Sequence, residues 1–272
     1  MLGVEDVLVM SDPNISRYKI CDLDNSSLNA IKEKVHAIAD MLQDDKSKEI
    51  LSTILQCYAT KNVFNRLWEK VFYGDEQYYP EGIVTLGEHE SFVDCGAYNG
   101  DSLKVFLDKI NRQFDNFYAF EMEHKNFEEL TKFVENECAP FKDKIQLFNY
   151  GVWNERKKIL ISSDQGMGSS ILNLDDKDGE QVELCALDEV IGKRPVTFIK
   201  MDIEGAEMEA LQGAKNIIQA QHPTLAISVY HKYEDIYTIP LYIKSLVEGY
   251  KIYFRCHNYM GQDIVCYAVY DS

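Results

Sequence analysis

The run Phe92-Val93-Asp94-Cys95-Gly96-Ala97-Tyr98-Asn99-Gly100-Asp101-Ser102 limits what this chain can fold into more than any other stretch. An apolar segment stops at an acid, glycines punctuate the next few residues, and a helical pattern opens near Asp101 and runs toward Ile110. Strand, glycine loop, helix is how an open α/β sheet makes a ligand crevice at a strand's carboxyl end. Gly96 and Gly100 permit backbone angles and a ligand approach that a Cβ would block.

The spacing narrows the ligand. A dinucleotide fingerprint needs G-x-G-x-x-G, but Tyr98 stands two residues after Gly96, giving D-x-G-x-x-x-G. The charges also disfavour a pyrophosphate. A helix N-terminus welcomes anions, yet Asp94 and Asp101 flank the place where a diphosphate would sit. They would instead attract the ammonium and sulfonium of S-adenosyl-L-methionine, which carries a ribose and no phosphate. The next strand, Phe117-Tyr118-Ala119-Phe120, runs into Glu121. That acid lies close to the roughly 20-residue offset at which a carboxylate meets ribose hydroxyls. Tyr98, Ser102, Met122 and Gly151 fall beside the same strand ends and join the cofactor set. An ordinary βα turn with solvated acids is the plainer alternative.

Length allows one large α/β domain with a small appendage. Net charge is −17, so nucleic acid is not an expected partner, because phosphate binding rests on Lys and Arg. The seven cysteines are scattered, with no C-x-x-C pair. That fits reduced, buried thiols in a cytoplasmic protein better than a disulfide frame. The first ten residues carry Glu5 and Asp6 and no basic residue, the wrong sign for a signal peptide. No apolar run approaches the ~20 residues of a membrane span.

Residues 1–79 read as a helical N-terminal cap. Leu28, Ile31, Val35, Ile38 and Leu42 form one apolar stripe; Ile50, Leu51, Ile54, Leu55 and Tyr58 form a second after a break at Asp44-Asp45-Lys46. Val63, Phe64, Leu67, Trp68 and Val71 form a third. Such short helices must pack on something. They are read as a cap beside the pocket, or else as a pair that docks a partner or a second copy in a homodimer. Tyr73–Pro80 is a linker whose tyrosines line a pocket mouth or pack on the domain edge. Residues 80–272 then alternate strand and helix, the sign of a mostly parallel sheet. Strands are expected at Ser91–Asp94, Asn116–Glu121, Lys144–Tyr150, Pro195–Asp202 and Leu225–Val229, with extra strands at Lys157–Ser162 and Gln181–Cys185. A helix is expected from about Glu207 to Ala220 and another over Ile239–Glu248. The loop holding Gly166, Gly168, Ser169 and Ser170 is a mobile flap over ligand or a surface excursion. Tyr250–Arg255 and Ile264–Tyr270 make an antiparallel pair at the end of the sheet.

A second acidic cluster, Asp202, Glu204 and Glu207, falls where a strand gives way to a helix. Asp202 and Glu204 should face the crevice of Asp94, and Glu207 should complement the helix dipole. Asp94–Ser102, Phe198–Glu207, Leu211-x-Gly213-Ala214 and Pro223–His231 together resemble the FkbM-type S-adenosylmethionine-dependent methyltransferases, over roughly residues 78–270. The resemblance implies a Rossmann-like seven-stranded methyltransferase sheet and methyl transfer to a hydroxyl of a sugar, glycan or secondary metabolite. It carries Asp94, Gly96, Gly100 and Asp101 over as the cofactor loop, Glu121 to the ribose, and Asp202 and Glu204 to the crevice. Cys95 departs from the residue common among relatives, without expected consequence.

Methyl transfer asks the protein for in-line alignment and water exclusion. An alcohol acceptor also needs a general base. Glu204, His231 and Asp202 are the candidates: His231 because imidazole titrates near neutral pH, Glu204 because burial beside Asp202 would raise its pKa. No metal-ligand set is read from the histidines, with Mg²⁺ on the acids as a minor alternative. A nicotinamide-dependent oxidoreductase and a catalytically silent cofactor-binding module are the other function classes.

Overall fold

The computed structural model describes residues 25–60, 68–162, 171–172, 179–258 and 263–271. Seven strands form one sheet in the order β10-β11-β9-β8-β1-β2-β3. Its parallel part is β8 (Phe198–Met201), β1 (Ser91–Cys95), β2 (Asn116–Phe120) and β3 (Ile145–Phe148). Its antiparallel end is β9 (Thr224–Ser228), β11 (Ile264–Tyr270) and β10 (Tyr250–Cys256). This is the mostly parallel, Rossmann-like arrangement expected from the alternation of strands and helices. By compactness the chain divides into Leu86–Pro223 and a discontinuous unit, Met1–Thr85 with Thr224–Ser272.

In the Leu86–Pro223 unit the register explains the core. Phe92 lies opposite Phe117 on one side and Phe198 on the other. Their rings stack at 5.1 and 4.6 Å, nearly parallel, and Phe106 of α4 (Asp101–Lys109) closes on Phe92 at 4.8 Å. Each fully buried ring contributes roughly 1.5–3 kcal/mol. Side chains alternate along a strand, so the face that shows Phe92 and Phe198 shows Asp94 and Lys200 two residues on. α5 (His124–Glu137) follows β2. A smaller sheet, order β4-β7-β5-β6, is built from Gly151–Val152, Gly179–Cys185, Lys157–Ser162 and Ile171–Leu172. The glycine-serine loop at 166–170 lies outside the described residues. The helix expected from Glu207 to Ala220 is two: α7 (Glu207–Gly213) and α8 (Lys215–Gln221), parting at Ala214. The one-turn α6 (Leu187–Val190) precedes them, and its Asp188 carboxylate accepts the Asn216 and Ile217 amides of α8. That pins the start of the second helix and explains the break.

In the discontinuous unit, α1 (Asn25–Met41) and α2 (Asp45–Thr60) carry the first two apolar stripes, and the one-turn α3 (Trp68–Val71) closes the series. Part of the third stripe lies outside the described residues. The break at Asp44 is an N-cap: its carboxylate accepts the Ser47 amide at 2.8 Å. The N-terminal helices are joined to the C-terminal strands by backbone bridges, Leu42 to Ile252 and Phe72 to Cys256. Arg255 is buried among them. It reaches Asp44 at 2.6 Å and Asp75 at 3.2 Å, and donates to the Phe254 carbonyl at 2.7 Å. His257 Nδ1 faces the Asp75 carbonyl at 2.9 Å, so that nitrogen carries the proton. Its Nε2 then accepts from the Tyr267 hydroxyl at 2.8 Å, whose oxygen accepts the Tyr78 amide. Tyr78 and Tyr79 of the linker are buried in this unit. α9 (Asp235–Leu246) starts four residues before the expected Ile239 and accommodates Pro240 inside it. Among the described residues no helix is long and apolar enough to cross a membrane.

Candidate functional site

The site is built where β1, β2 and β8 end. The chain leaves β1 at Cys95 and turns through Gly96 in a left-handed conformation, φ 79°. A Cβ there would meet the Asp202 carbonyl oxygen at 2.2 Å, so the bend requires glycine on steric grounds as well as conformational ones. Gly100, φ 95°, caps α4, which begins at Asp101 as the sequence indicated.

Between the two glycines the backbone is tied to β2. The amides of Gly96 and Ala97 both donate to the Phe120 carbonyl, at 2.9 and 3.0 Å. The Tyr98 amide donates to the Glu121 carboxylate at 2.9 Å, and the other oxygen of that carboxylate accepts the Glu123 amide at 2.9 Å. Three successive loop amides are therefore engaged within the protein. A phosphate-binding nest works by presenting such amides to an anion, and these three do not.

Glu121 is 7% exposed, and burial pushes its pKa up to about 7 against the pull of its two amide donors. Each carboxylate oxygen has a further lone pair beyond the amide it accepts, which suits it to receive hydroxyl donors. Asn149, at the end of β3, secures the turn after β2 by donating to the carbonyls of Glu121 and Met122 at 2.9 and 3.2 Å. Gly151 packs closely on Met122: a Cβ there would come 3.2 Å from the Met122 sulfur and 2.4 Å from Leu184. Tyr98 is 37% exposed at the loop tip. Asp101 is exposed, and its carboxylate accepts the Ser102 amide at 2.6 Å.

Asp94 corrects the picture drawn from charge alone. The loop acids were expected to be available to a cationic ligand. Asp94 is fully buried and lies directly opposite Lys200, whose ammonium stands 2.9 Å from Oδ1. Burial pushes the Asp94 pKa up to about 6, with Lys200 opposing. Burial alone would lower the Lys200 pKa, but the carboxylates of Asp94 and Asp202 hold it above its ordinary value. The pair is an internal one, and Asp94 spends its charge on Lys200.

Past β8 the chain turns through Glu204 (φ 55°) and Gly205 (φ 95°). The Glu207 carboxylate, wholly buried at the start of α7, folds back and accepts the Ile203 amide at 2.9 Å. It orders the turn, a more specific role than the dipole complement expected of it. Glu204 is exposed, so the burial invoked for it as a base is absent. Asp202 is half-buried at the strand end, and its amide donates to the Cys95 carbonyl at 3.2 Å, which joins the two turns. His231 is buried in the discontinuous unit, its ring 4.1 Å from that of Tyr230.

The structure thus brings Asp94, Gly96, Tyr98, Gly100, Asp101, Ser102, Glu121, Met122, Gly151, Asp202 and Glu204 into one unit, on adjoining strand ends and turns. Sequence reasoning missed Lys200 and Asn149. Lys200 was legible: it is the lone charge in Val196-Thr197-Phe198-Ile199-Lys200-Met201, two residues from a core phenylalanine.

A family model described as the methyltransferase FkbM domain matches residues 94–252. No curated protein matches the chain. Among solved structures, the FkbM methyltransferase of Methylobacillus flagellatus KT superposes with a TM-score of 0.75 at 25% identity, covering 92% of this chain and 62% of that one. The chain therefore spans less than two thirds of that relative's length. An rRNA methylase from Streptococcus thermophilus has a TM-score of 0.43 at 14% identity, covering 69% and 90% of the two chains, too loose a likeness to argue from. With more than half of its residues under the family model, and the motif turns Asp94–Ser102 and Asp202–Glu207 within it, the chain belongs to the FkbM methyltransferase family.

Proposed function

We propose that the chain is an S-adenosyl-L-methionine-dependent O-methyltransferase whose acceptor is a hydroxyl of a sugar, a glycan or a secondary metabolite. The observation that carries the cofactor half is the engagement of the Gly96, Ala97 and Tyr98 amides by the end of β2. That leaves this stretch of loop without a phosphate cradle and puts a buried carboxylate, Glu121, beside it. The fit is to a ligand with a ribose and no diphosphate. Family membership supports the same reading.

In this reading Glu121 accepts the ribose hydroxyls. Gly96 and Gly100 give the loop its shape, packing against the Asp202 carbonyl and the Phe133 ring where a Cβ would not fit, and Met122 and Gly151 shape the surface beyond β2. The cofactor supplies an electrophilic methyl group on a sulfonium. The protein's own task is to hold the acceptor oxygen in line and keep water out. It must also take up the hydroxyl proton, for which Asp202, Glu204 and His231 are the candidates. Asp202 is favoured within its own unit, because it is half-buried where Glu204 is open to solvent.

Calorimetry with S-adenosylmethionine, S-adenosylhomocysteine and NAD tests the cofactor. Binding of the first two and not the third is expected, with Glu121→Ala weakening it at least tenfold. Heat from NAD alone would overturn the cofactor assignment and support the oxidoreductase reading instead. Transfer of a labelled methyl group across a panel of hydroxylated acceptors tests the other half. Tight S-adenosylhomocysteine binding with no transfer to any acceptor would support the silent module.

A further inference from the structure

We propose that Lys200 is a positioning residue for the cofactor loop: its ammonium holds the glycine bend in its binding-competent shape, beyond balancing the charge of Asp94. This rests on the cofactor reading above. The Lys200 ammonium, with three donors and no acceptor, pairs with Asp94 Oδ1 at 2.9 Å and donates to the Gly96 carbonyl at 2.7 Å and the Cys95 carbonyl at 3.4 Å. Both carbonyls belong to the backbone where β1 gives way to the bend. The Gly96 carbonyl is the shorter contact, and a charged donor makes it a strong one. The same peptide region is gripped from the other side, since the Gly96 and Ala97 amides go to Phe120. The bend is thus fixed through its carbonyls by β8 and through its amides by β2. A buried lysine is a costly way to neutralise one aspartate, because both ions must be desolvated. A neutral pair of similar size would serve a merely structural purpose. The carbonyl contacts are what such a pair would give up.

The test compares wild type, Asp94→Asn, Lys200→Met and the Asp94→Asn/Lys200→Met double variant. Each is assayed by thermal melting and by calorimetric affinity for S-adenosylhomocysteine. The double variant has no stranded charge, so it remains assayable if Lys200→Met alone does not fold. The expected result is a double variant that melts within a few degrees of Asp94→Asn yet binds S-adenosylhomocysteine about tenfold more weakly than Asp94→Asn does. Equal affinity of those two proteins would overturn the proposal, because Lys200 would then only balance charge. A wild type that binds no S-adenosylhomocysteine would sink the cofactor reading itself, an outcome distinct from equal affinities in proteins that do bind.

Discussion

The two units each bury a cation against aspartate, and they do so differently. In Leu86–Pro223, Lys200 and Asp94 are both almost completely enclosed, and the lysine's other donors go to the glycine bend. In the discontinuous unit, Arg255 is buried but Asp44 keeps 31% of its side chain exposed, and the guanidinium forks over Asp44, Asp75 and a carbonyl of its own strand. The arginine knot fastens N-terminal helices to C-terminal strands. The lysine pair instead ties β8 to the end of β1 and to the glycine bend that follows it. A buried ion pair is weak evidence for stability in itself. What separates the two is what else the cation holds.

The largest expected difference is in the cost of removing the cation. Lys200→Met should lower unfolding free energy by about 4 kcal/mol, since it leaves Asp94 sealed without a partner. Urea titration measures it, and an effect near zero would mean that Asp94 simply takes up a proton. Next comes pH. Folding raises the Glu121 pKa above its ordinary value of 4.5, to about 7, and that of Asp94 above 3.8, to about 6. The stability these groups lend is complete below their ordinary values and is lost as pH rises through the folded ones. For Glu121 that is a loss of roughly 3 kcal/mol between pH 4.5 and 7. Unfolding titrations across that window should show a larger loss in wild type than in Glu121→Gln, which keeps only the part due to Asp94.

Arg255→Met should cost less, roughly 2 kcal/mol, because solvent can reach Asp44 once its partner is gone. It should leave affinity for S-adenosylhomocysteine unchanged, whereas the lysine variant should not; equal losses of affinity would erase the contrast between the sites. The smallest effect is at His257, whose pKa burial holds below 6.5. A depressed folded value means stability present above 6.5 and lost as pH falls below it. Amide exchange at Phe254–Cys256 and Tyr267 should therefore quicken in acid after correction for intrinsic rates. The strand amides of Phe117–Phe120 should respond in the opposite direction over the same range.

Much of this was legible beforehand, and the exceptions share a cause. The strands were visible because β-branched and aromatic runs end at acids and glycines, and the bend at Gly96 because the flanking pattern changes period there. Glu121 was singled out by an offset along the chain. What escaped depended on partners distant in sequence. Lys200 faces Asp94 only through strand pairing. Asn149 reaches carbonyls of a neighbouring strand, and Asp188 stops a helix by capping the start of the next. Glu204 was misjudged for the same reason: adjacency to an apolar strand says nothing of whether a turn carries a side chain outward. Asp44 ran the other way, a break read correctly whose second duty to Arg255 no local pattern reveals.

The stacked column Phe198-Phe92-Phe117 has a consequence for how charge finds charge in this fold. Sliding β8 by a single residue would set Ile199 against Asp94 and send the ammonium to the opposite face of the sheet. The rings act as a ruler, and the electrostatics two residues onward are read from its marks. Trimming any of the three to a smaller side chain would therefore blur where a proton or a counter-ion belongs, well before it emptied the core.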